Sequence, residues 1–337
     1  MPSLPPSFPE QKPLPYDIAI LCEGDATGYE VAILRKWADS VFGTAPFVGV
    51  FGCGTADGIF GMTDALGRTT TVAVVEDRDF RSLSDATDDC KRKYRNRIDR
   101  GVSIRGWTVW QRSEIENYFL DDSIFVPVFT ECFGCSENDV FDALDTAIRF
   151  LGIFQAFAAT VYYMRAKWTG TDPSAKLSVS TRPKWTSNGL AGPDIAEVLK
   201  ELERSLLSWQ ELFNRQKPFG QLICEMSVVD EFQKRVADWT NLDRSSNVCR
   251  IDWAGKEVLK AVRQILASRS SGWWSVIPSQ PVNWNEIGNR RKQDAHDRII
   301  EREIQPKLVS RLADNIAVSS DEAIASEFDA LARMIRS

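Results

Sequence analysis

Histidine is almost missing from this chain: His296 is the only one in 337 residues. That excludes chemistries built on paired histidines, a His-ligated zinc or a Ser-His-Asp triad. Cysteine is sparse and odd in number, seven in all. The cysteines form no pair of Cys-x-x-Cys units, and Cys53, Cys132 and Cys135 have no histidine nearby. A reduced, cytoplasmic chain is the simpler expectation than a disulfide framework or a zinc centre. No apolar run approaches the ~20 residues that span a bilayer, so no membrane partner is expected. Met1–Pro15 is rich in proline without an apolar core and reads as a flexible arm, not a signal peptide. A Gly-x-x-x-x-Gly-Lys-Ser/Thr phosphate loop is also absent, so any ATP chemistry has to come from another chain.

What is present is an ordinary globular composition, 43% hydrophobic and 26% charged, which predicts a packed core. The net charge of −6 argues against a general nucleic-acid coat protein. It leaves room for a nuclease, whose basic residues need line only one face. Apolar runs at Asp17–Cys22, Phe47–Phe51, Thr71–Val75 and Arg105–Trp110 read as strands. Helical spacing over Tyr29–Phe42 and Ile59–Leu66 fills the gaps between them. Strands alternating with helices predict an α/β fold with a parallel, Rossmann-like sheet. Ligands of such sheets sit beyond the carboxyl ends of the strands. Beyond about residue 125 the pattern becomes mostly helical: Asp139–Ala158, Asp194–Phe213, Val228–Trp239, Lys256–Ser268 and Asp321–Ile335. Ala166–Pro193 reads as a long polar loop. The expected organisation is an arm over 1–15, an α/β domain over 16–125, and a helical region over 126–337 for dimerisation, partner or substrate contacts.

The third strand ends in acids, Val75-Glu-Asp-Arg-Asp79. On an extended chain Asp77 and Asp79 share one face. Two carboxylates at a buried strand end repel each other, and a hard divalent cation relieves the conflict. The pair also suits a helix N-terminus, where acids are favoured. Glu76, between them, reads as a supporting or solvated residue.

The order of features then resembles a known family. A strand ending in Glu23-Gly24, a glycine turn Gly52-Cys-Gly54 after the second strand, and Asp77-Arg-Asp79 after the third resemble a TOPRIM domain. Topoisomerases, bacterial primases and OLD-type nucleases share that fold. Ser113-Glu-Ile-Glu-Asn-Tyr-Phe-Leu120 is similar to the acidic segment of OLD-like TOPRIM nucleases, above all the stand-alone DUF4435 group, which includes the nuclease subunit of the PARIS anti-phage system. The resemblance covers residues 16–122. It implies a metal-dependent endonuclease acting on DNA or tRNA, the toxic effector of a defence pair, held by an ABC-type ATPase partner and active as a homodimer. By the same resemblance Glu23, Asp77, Asp79 and Glu116 are catalytic and metal-binding, with Glu114 or Glu30 completing the ligand set for Mg²⁺ or Mn²⁺. Phosphodiester hydrolysis must activate a water and stabilise the attacking and leaving oxygens, which two ions roughly 4 Å apart accomplish. The family carries a second acid four residues after the first. Here that position is Thr27; Asp25 comes too early, and Glu30 fits if the turn has an insertion.

The densest basic run, Lys91, Arg92, Lys93, Arg95 and Arg97, follows the acidic strand end. It suits either a phosphate-backbone track or a solvated helix face. Arg182-Pro-Lys-Trp185 and Ser271-Gly-Trp-Trp-Ser275 carry tryptophans that can stack on bases or fill a core. Two other readings compete. One is a non-catalytic TOPRIM-like module that docks an ATPase or nucleic acid. The other is an Asp-x-Asp phosphotransferase, which would place that motif on the first strand rather than the third.

Overall fold

The computed structural model describes residues 16–43, 48–167, 199–208 without 201 and 205, 228–269, 289–318 and 322–336. The N-terminal arm, most of the Ala166–Pro193 loop and both tryptophan segments lie outside the described residues.

Four strands form one all-parallel sheet: β1 (Ile18–Cys22), β2 (Val48–Gly52), β3 (Thr71–Glu76) and β4 (Ile104–Val109), in the order β2-β1-β3-β4. Helices α1 (Tyr29–Phe42), α2 (Ala56–Leu66) and α3 (Leu83–Ile98) make the crossovers. The chain leaves β1 toward one side to form β2, then returns past it to form β3. The strand order therefore reverses between β1 and β3, which is where open α/β sheets bind ligands. Full burial on both faces explains the unbroken apolar runs Ile-Ala-Ile-Leu-Cys of β1 and Val-Ala-Val-Val of β3.

Side-chain alternation splits the sheet cleanly. Ala19, Leu21, Val72, Val74, Trp107 and Val109 pack with Ile59 of α2 and with Ala86 and Cys90 of α3. The helices are bounded as their end residues dictate. Thr55 caps α2 through Gly58 N–H, Ser82 caps α3 through Asp85 N–H, and α1 stops at Gly43, whose φ is 81°.

The rest of the chain is helical. A 3₁₀ turn (Ile115–Leu120) leads into α4 (Asp122–Phe133), α5 (Glu137–Lys167), α6 (Val228–Trp239), α7 (Asn247–Ile251), α8 (Gly255–Arg269), α9 (Asn289–Val318) and α10 (Glu322–Arg336). The sequence reading anticipated α5, α6, α8 and α10 and omitted α4, α7 and α9. The chain divides into two compact units. The first holds the described residues up to Arg78, Ser82–Gln111 and those from Val309 onward. The second holds Asp79–Arg81 and Arg112–Leu308.

Within the first unit, α10 returns to the sheet. Phe328 stacks near Trp37 of α1 and Trp110 after β4, at 5.5 and 5.4 Å between ring centroids. Met334 lies against Gly106; a Cβ there would come within 2.2 Å of its sulfur. Within the second unit, Ile153, Phe157, Leu202, Leu206, Val228 and Phe232 form one core, and Trp253 is fully buried.

Candidate functional site

In the first unit the switch point carries acids. The ladder sets Leu21 opposite Val74, so Glu23 and Asp77 leave neighbouring strands two and three residues further on. Adjacent strands lie about 4.8 Å apart, so the backbones of both residues leave the sheet at its carboxyl end. Both are half-buried. The glycine turn makes the space beside them. A Cβ on Gly52 would sit 2.2 Å from Gly24 O, and Cys53 N–H donates to Cys22 O at 2.8 Å. The backbone of β2 therefore closes directly on the turn that follows Glu23.

The neighbouring acids have other work. Glu30 is 2% exposed; its Oε2 accepts Gly24 N–H and its Oε1 accepts Trp110 Nε1–H, each at 2.8 Å. Glu76 is fully buried on the opposite face of the sheet. It accepts Trp107 Nε1–H at 2.8 Å and both its oxygens take Lys93 Nζ, at 2.9 and 2.6 Å. It is thus the anchor of β3 onto α3 and β4, not a solvated residue. Burial alone would lower the Lys93 pKa, but Glu76 and Asp89 outweigh it and hold the ammonium above its ordinary range. The helix-cap alternative for Asp77 and Asp79 is set aside by Ser82, which holds the N-cap of α3.

The thiols beside the rim are not nucleophiles. Burial pushes Cys22 far above its ordinary range, with Glu30 and Cys53 adding to it. Cys53 is pushed up to about 11, again chiefly by burial. Such thiols stay protonated at neutral pH.

The second unit holds Asp79, Glu114 and Glu116. Asp79 has φ +53°, the one non-glycine residue with positive φ among the described residues. Its N–H donates to Ser113 O at 3.0 Å, and Ser113 Oγ–H donates to its carbonyl at 2.6 Å. Ser113 N–H in turn donates to Ile251 O at 2.6 Å. Glu114 is buried and engaged: its Oε1 pairs with Lys256 Nζ at 2.9 Å and its Oε2 accepts Lys256 N–H at 3.3 Å. Asn117 accepts Glu114 N–H and donates to Trp253 O, both at 2.9 Å, which explains a buried asparagine in the Glu-Asn-Tyr segment. A Cβ on Gly255 would come within 2.6 Å of Asn117 N, so α8 starts hard against this turn. Glu116 is half-buried. Among the acids that the sequence singles out, Glu23, Asp77, Asp79 and Glu116 are half-buried and Glu30, Glu76 and Glu114 are buried.

The basic run also divides. Ala86, Cys90, Lys93 and Arg97 form the stripe of α3 that faces the sheet. Arg97 is buried, pairs with Asp64 at 2.9 Å and lies 5.0 Å over the Phe60 ring. Lys93 and Arg97 thus serve the fold, not an outward phosphate track. Lys91, Arg92 and Arg95 are exposed, with Lys91 and Arg92 paired to Asp88 and Asp89 one turn away. Sequence reasoning missed Trp110, Lys93, Ser113 and Lys256 as the residues that set the acids. Only their places just after a strand or beside an acid were visible beforehand.

Hard carboxylate oxygens at a strand-end rim suit Mg²⁺ or Mn²⁺. Among the described residues no group of three or more His, Cys, Asp or Glu side chains is gathered as a metal site. A Mg²⁺ that keeps its waters and binds substrate phosphate needs only one or two protein carboxylates, and Glu23 and Asp77 of the sheet unit meet that requirement. Compared with known proteins, the chain matches no family model, no curated protein and no solved structure.

Proposed function

We propose that this protein is a Mg²⁺- or Mn²⁺-dependent phosphodiesterase of the TOPRIM type that cleaves nucleic acid. The observation that carries the reading is the placement of two half-buried carboxylates, Glu23 and Asp77, on adjacent parallel strands where the strand order reverses. The acids beside them, Glu30 and Glu76, are spent on holding that rim. Asp79 and Glu116 belong to the second unit, and their part in cleavage is proposed from the motif resemblance alone. A bound divalent ion would lower the pKa of water and neutralise charge developing on phosphate oxygens. Glu23 and Asp77 would bind and orient it, while the buried Cys22 and Cys53 thiols stay protonated at neutral pH. Lys91, Arg92 and Arg95 are the exposed cations offered to a phosphate backbone. By its motif order the chain resembles the effector nucleases of phage defence, so control by a partner ATPase in the cytoplasm and action as a homodimer belong to the same proposal.

A second reading, a binding module without catalysis, is favoured by Thr27, which stands where the resembled family carries its second acid. Cleavage of plasmid DNA, single-stranded DNA and total tRNA with Mg²⁺ or Mn²⁺, wild type against Asp77→Ala, decides between them. Cleavage that needs both metal and Asp77 supports the enzyme. Metal-independent nucleic-acid binding without cleavage, unchanged in Asp77→Ala, refutes it.

A further inference from the structure

We propose that Trp110 and Glu30 form a clamp that sets the positions of Glu23 and Asp77, and that Glu30 is a positioning residue and not a metal ligand. The inference rests on the phosphodiesterase reading of the strand-end rim. Trp110 reaches both acids through one residue on each side. Its backbone N–H donates to Glu76 O at 3.1 Å, continuing the ladder to the residue before Asp77. Its indole Nε1–H donates to Glu30 Oε1 at 2.8 Å, and Glu30 Oε2 accepts Gly24 N–H at 2.8 Å, the residue after Glu23. Trp110 follows β4, two strands from β1 in the order of the sheet. A single residue therefore ties the ends of β4 and β3 to the turn after β1, through its backbone N–H on one side and its indole on the other.

The geometry leaves little slack. Trp110 is 3% exposed and Glu30 2% exposed. Behind the indole stands Phe328 of α10, which in turn packs on Trp37 of α1. A Cβ on Gly24 would lie 3.1 Å from both Cβ and Oε2 of Glu30, so the turn and the carboxylate are in close contact. A buried carboxylate is tolerated only with donors at its oxygens. Here one donor belongs to the turn that presents a ligand and the other to the far strand. Partners that orient ligands from behind change metal affinity by ~10–100-fold when removed.

The test is Mn²⁺ titration of the full chain by calorimetry, with wild type, Trp110→Phe, Glu30→Gln and the double variant. Phenylalanine keeps the ring and removes the donor; glutamine keeps one acceptor and loses the other. Each single change is expected to raise the Mn²⁺ dissociation constant by ~10-fold or more, and the double variant to be no weaker than the weaker single, because both cut the same chain of bonds. Hydrogen exchange of the Gly24 amide should quicken in all three. Phe60→Leu, on the opposite face of the sheet, should lower stability without moving the dissociation constant, which separates positioning from general loosening. Glu30→Gln abolishing Mn²⁺ binding while Trp110→Phe leaves it intact would make Glu30 a ligand and overturn the clamp. Faster Gly24 exchange with unchanged Mn²⁺ affinity in both singles would also overturn it and leave the enzymatic reading standing. A wild type that takes up no Mn²⁺ overturns the enzymatic reading itself, and the clamp's role with it.

Discussion

Glu76 and Asp77 are consecutive acids with opposite expected signatures, and the contrast can be measured. The Glu76 side chain is 1% exposed and Lys93 15% exposed, with Nζ–Oε2 at 2.6 Å. Lys93→Ala strips the cation from a buried carboxylate and leaves it the Trp107 indole as a neutral donor. Removing one partner of a buried pair costs about 3–5 kcal/mol; the partial exposure of Lys93 admits water and puts the cost near the lower end, about 3 kcal/mol. With a urea m-value of about 2 kcal/mol/M, the unfolding midpoint should fall by about 1.5 M. In Glu76→Gln/Lys93→Met the amide oxygen still accepts from Trp107 and no charge is buried unpaired, so most of the loss should return, leaving a deficit of about 1 kcal/mol. Asp77→Asn reverses the pattern. It removes a half-buried charge from a crowded rim, so stability should hold or rise, while Mn²⁺ binding and cleavage disappear. Urea unfolding followed by fluorescence, with Mn²⁺ calorimetry on the same samples, reads both quantities. A midpoint shift below about 0.3 M for Lys93→Ala would refute the energetic argument. Loss of Mn²⁺ affinity in Glu76→Gln as deep as in Asp77→Asn would refute the assignment of roles.

The remaining expectations are shorter. Asp79→Asn and Asp79→Gly should keep the fold, since both tolerate the φ of +53°, whereas Asp79→Ala should lose about 1–2 kcal/mol; all three should lose cleavage, and a stable, active Asp79→Ala would contradict both claims. Gly52→Ala should lower both stability and Mn²⁺ affinity, because its Cβ would meet Gly24 O at 2.2 Å; normal melting and binding would show that the turn has slack. At high pH the fold holds Cys22 and Cys53 neutral and Lys93 charged, against ordinary values of 9.0 for the thiols and 10.5 for the amine. The thiol contribution is present in full below about pH 9 and is lost as pH rises through about 11, and that of Lys93 is lost above its own raised pKa; urea midpoints that rise between pH 8 and 10.5 would contradict this. Charge reversal of Lys91, Arg92 and Arg95 should weaken nucleic-acid binding and flatten its salt dependence by up to ~2.7 in log–log slope, with melting unchanged; an unaltered slope would remove this helix face from the interface.

The sheet was legible because its central strands β1 and β3 are buried on both faces and so appear as unbroken apolar runs that end in acids. Helices α1 and α6 were legible to the residue from their periodicity. Helix α4 was not, since Pro127 interrupts an otherwise apolar stretch, and α9 was hidden by charged residues and Pro306. The role of α3 was half legible. Lys93 and Arg97 complete the inward stripe begun by Ala86 and Cys90, but a charged residue reads as solvent-facing until its partner is known, and Glu76 and Asp64 are distant in sequence. The docking of α10 was likewise invisible. Its periodicity announces an apolar face, while Gly106, the small residue that admits Met334, lies far upstream. Acids were legible as a class and not by role, because role follows from donors such as Trp110, Trp107 and Lys256 that only the fold supplies.

That sorting bears on function more than any single residue does. Buried acids in this chain are provided for: Glu30 has two N–H donors, Glu76 a lysine and an indole, Glu114 a lysine and a backbone amide. Stability alone explains their arrangement. Asp77 is a half-buried carboxylate at the strand-end rim, and Asp79 is held two residues later with positive φ at a cost of roughly 1–3 kcal/mol. Ser113 grips that residue from both backbone sides, so the strained conformation is maintained, not incidental. Any sequence under selection for stability alone could relieve the strain with glycine and the repulsion with asparagine. A divalent cation, as proposed above, would favour keeping Asp77 charged at the point where the parallel sheet reverses its strand order.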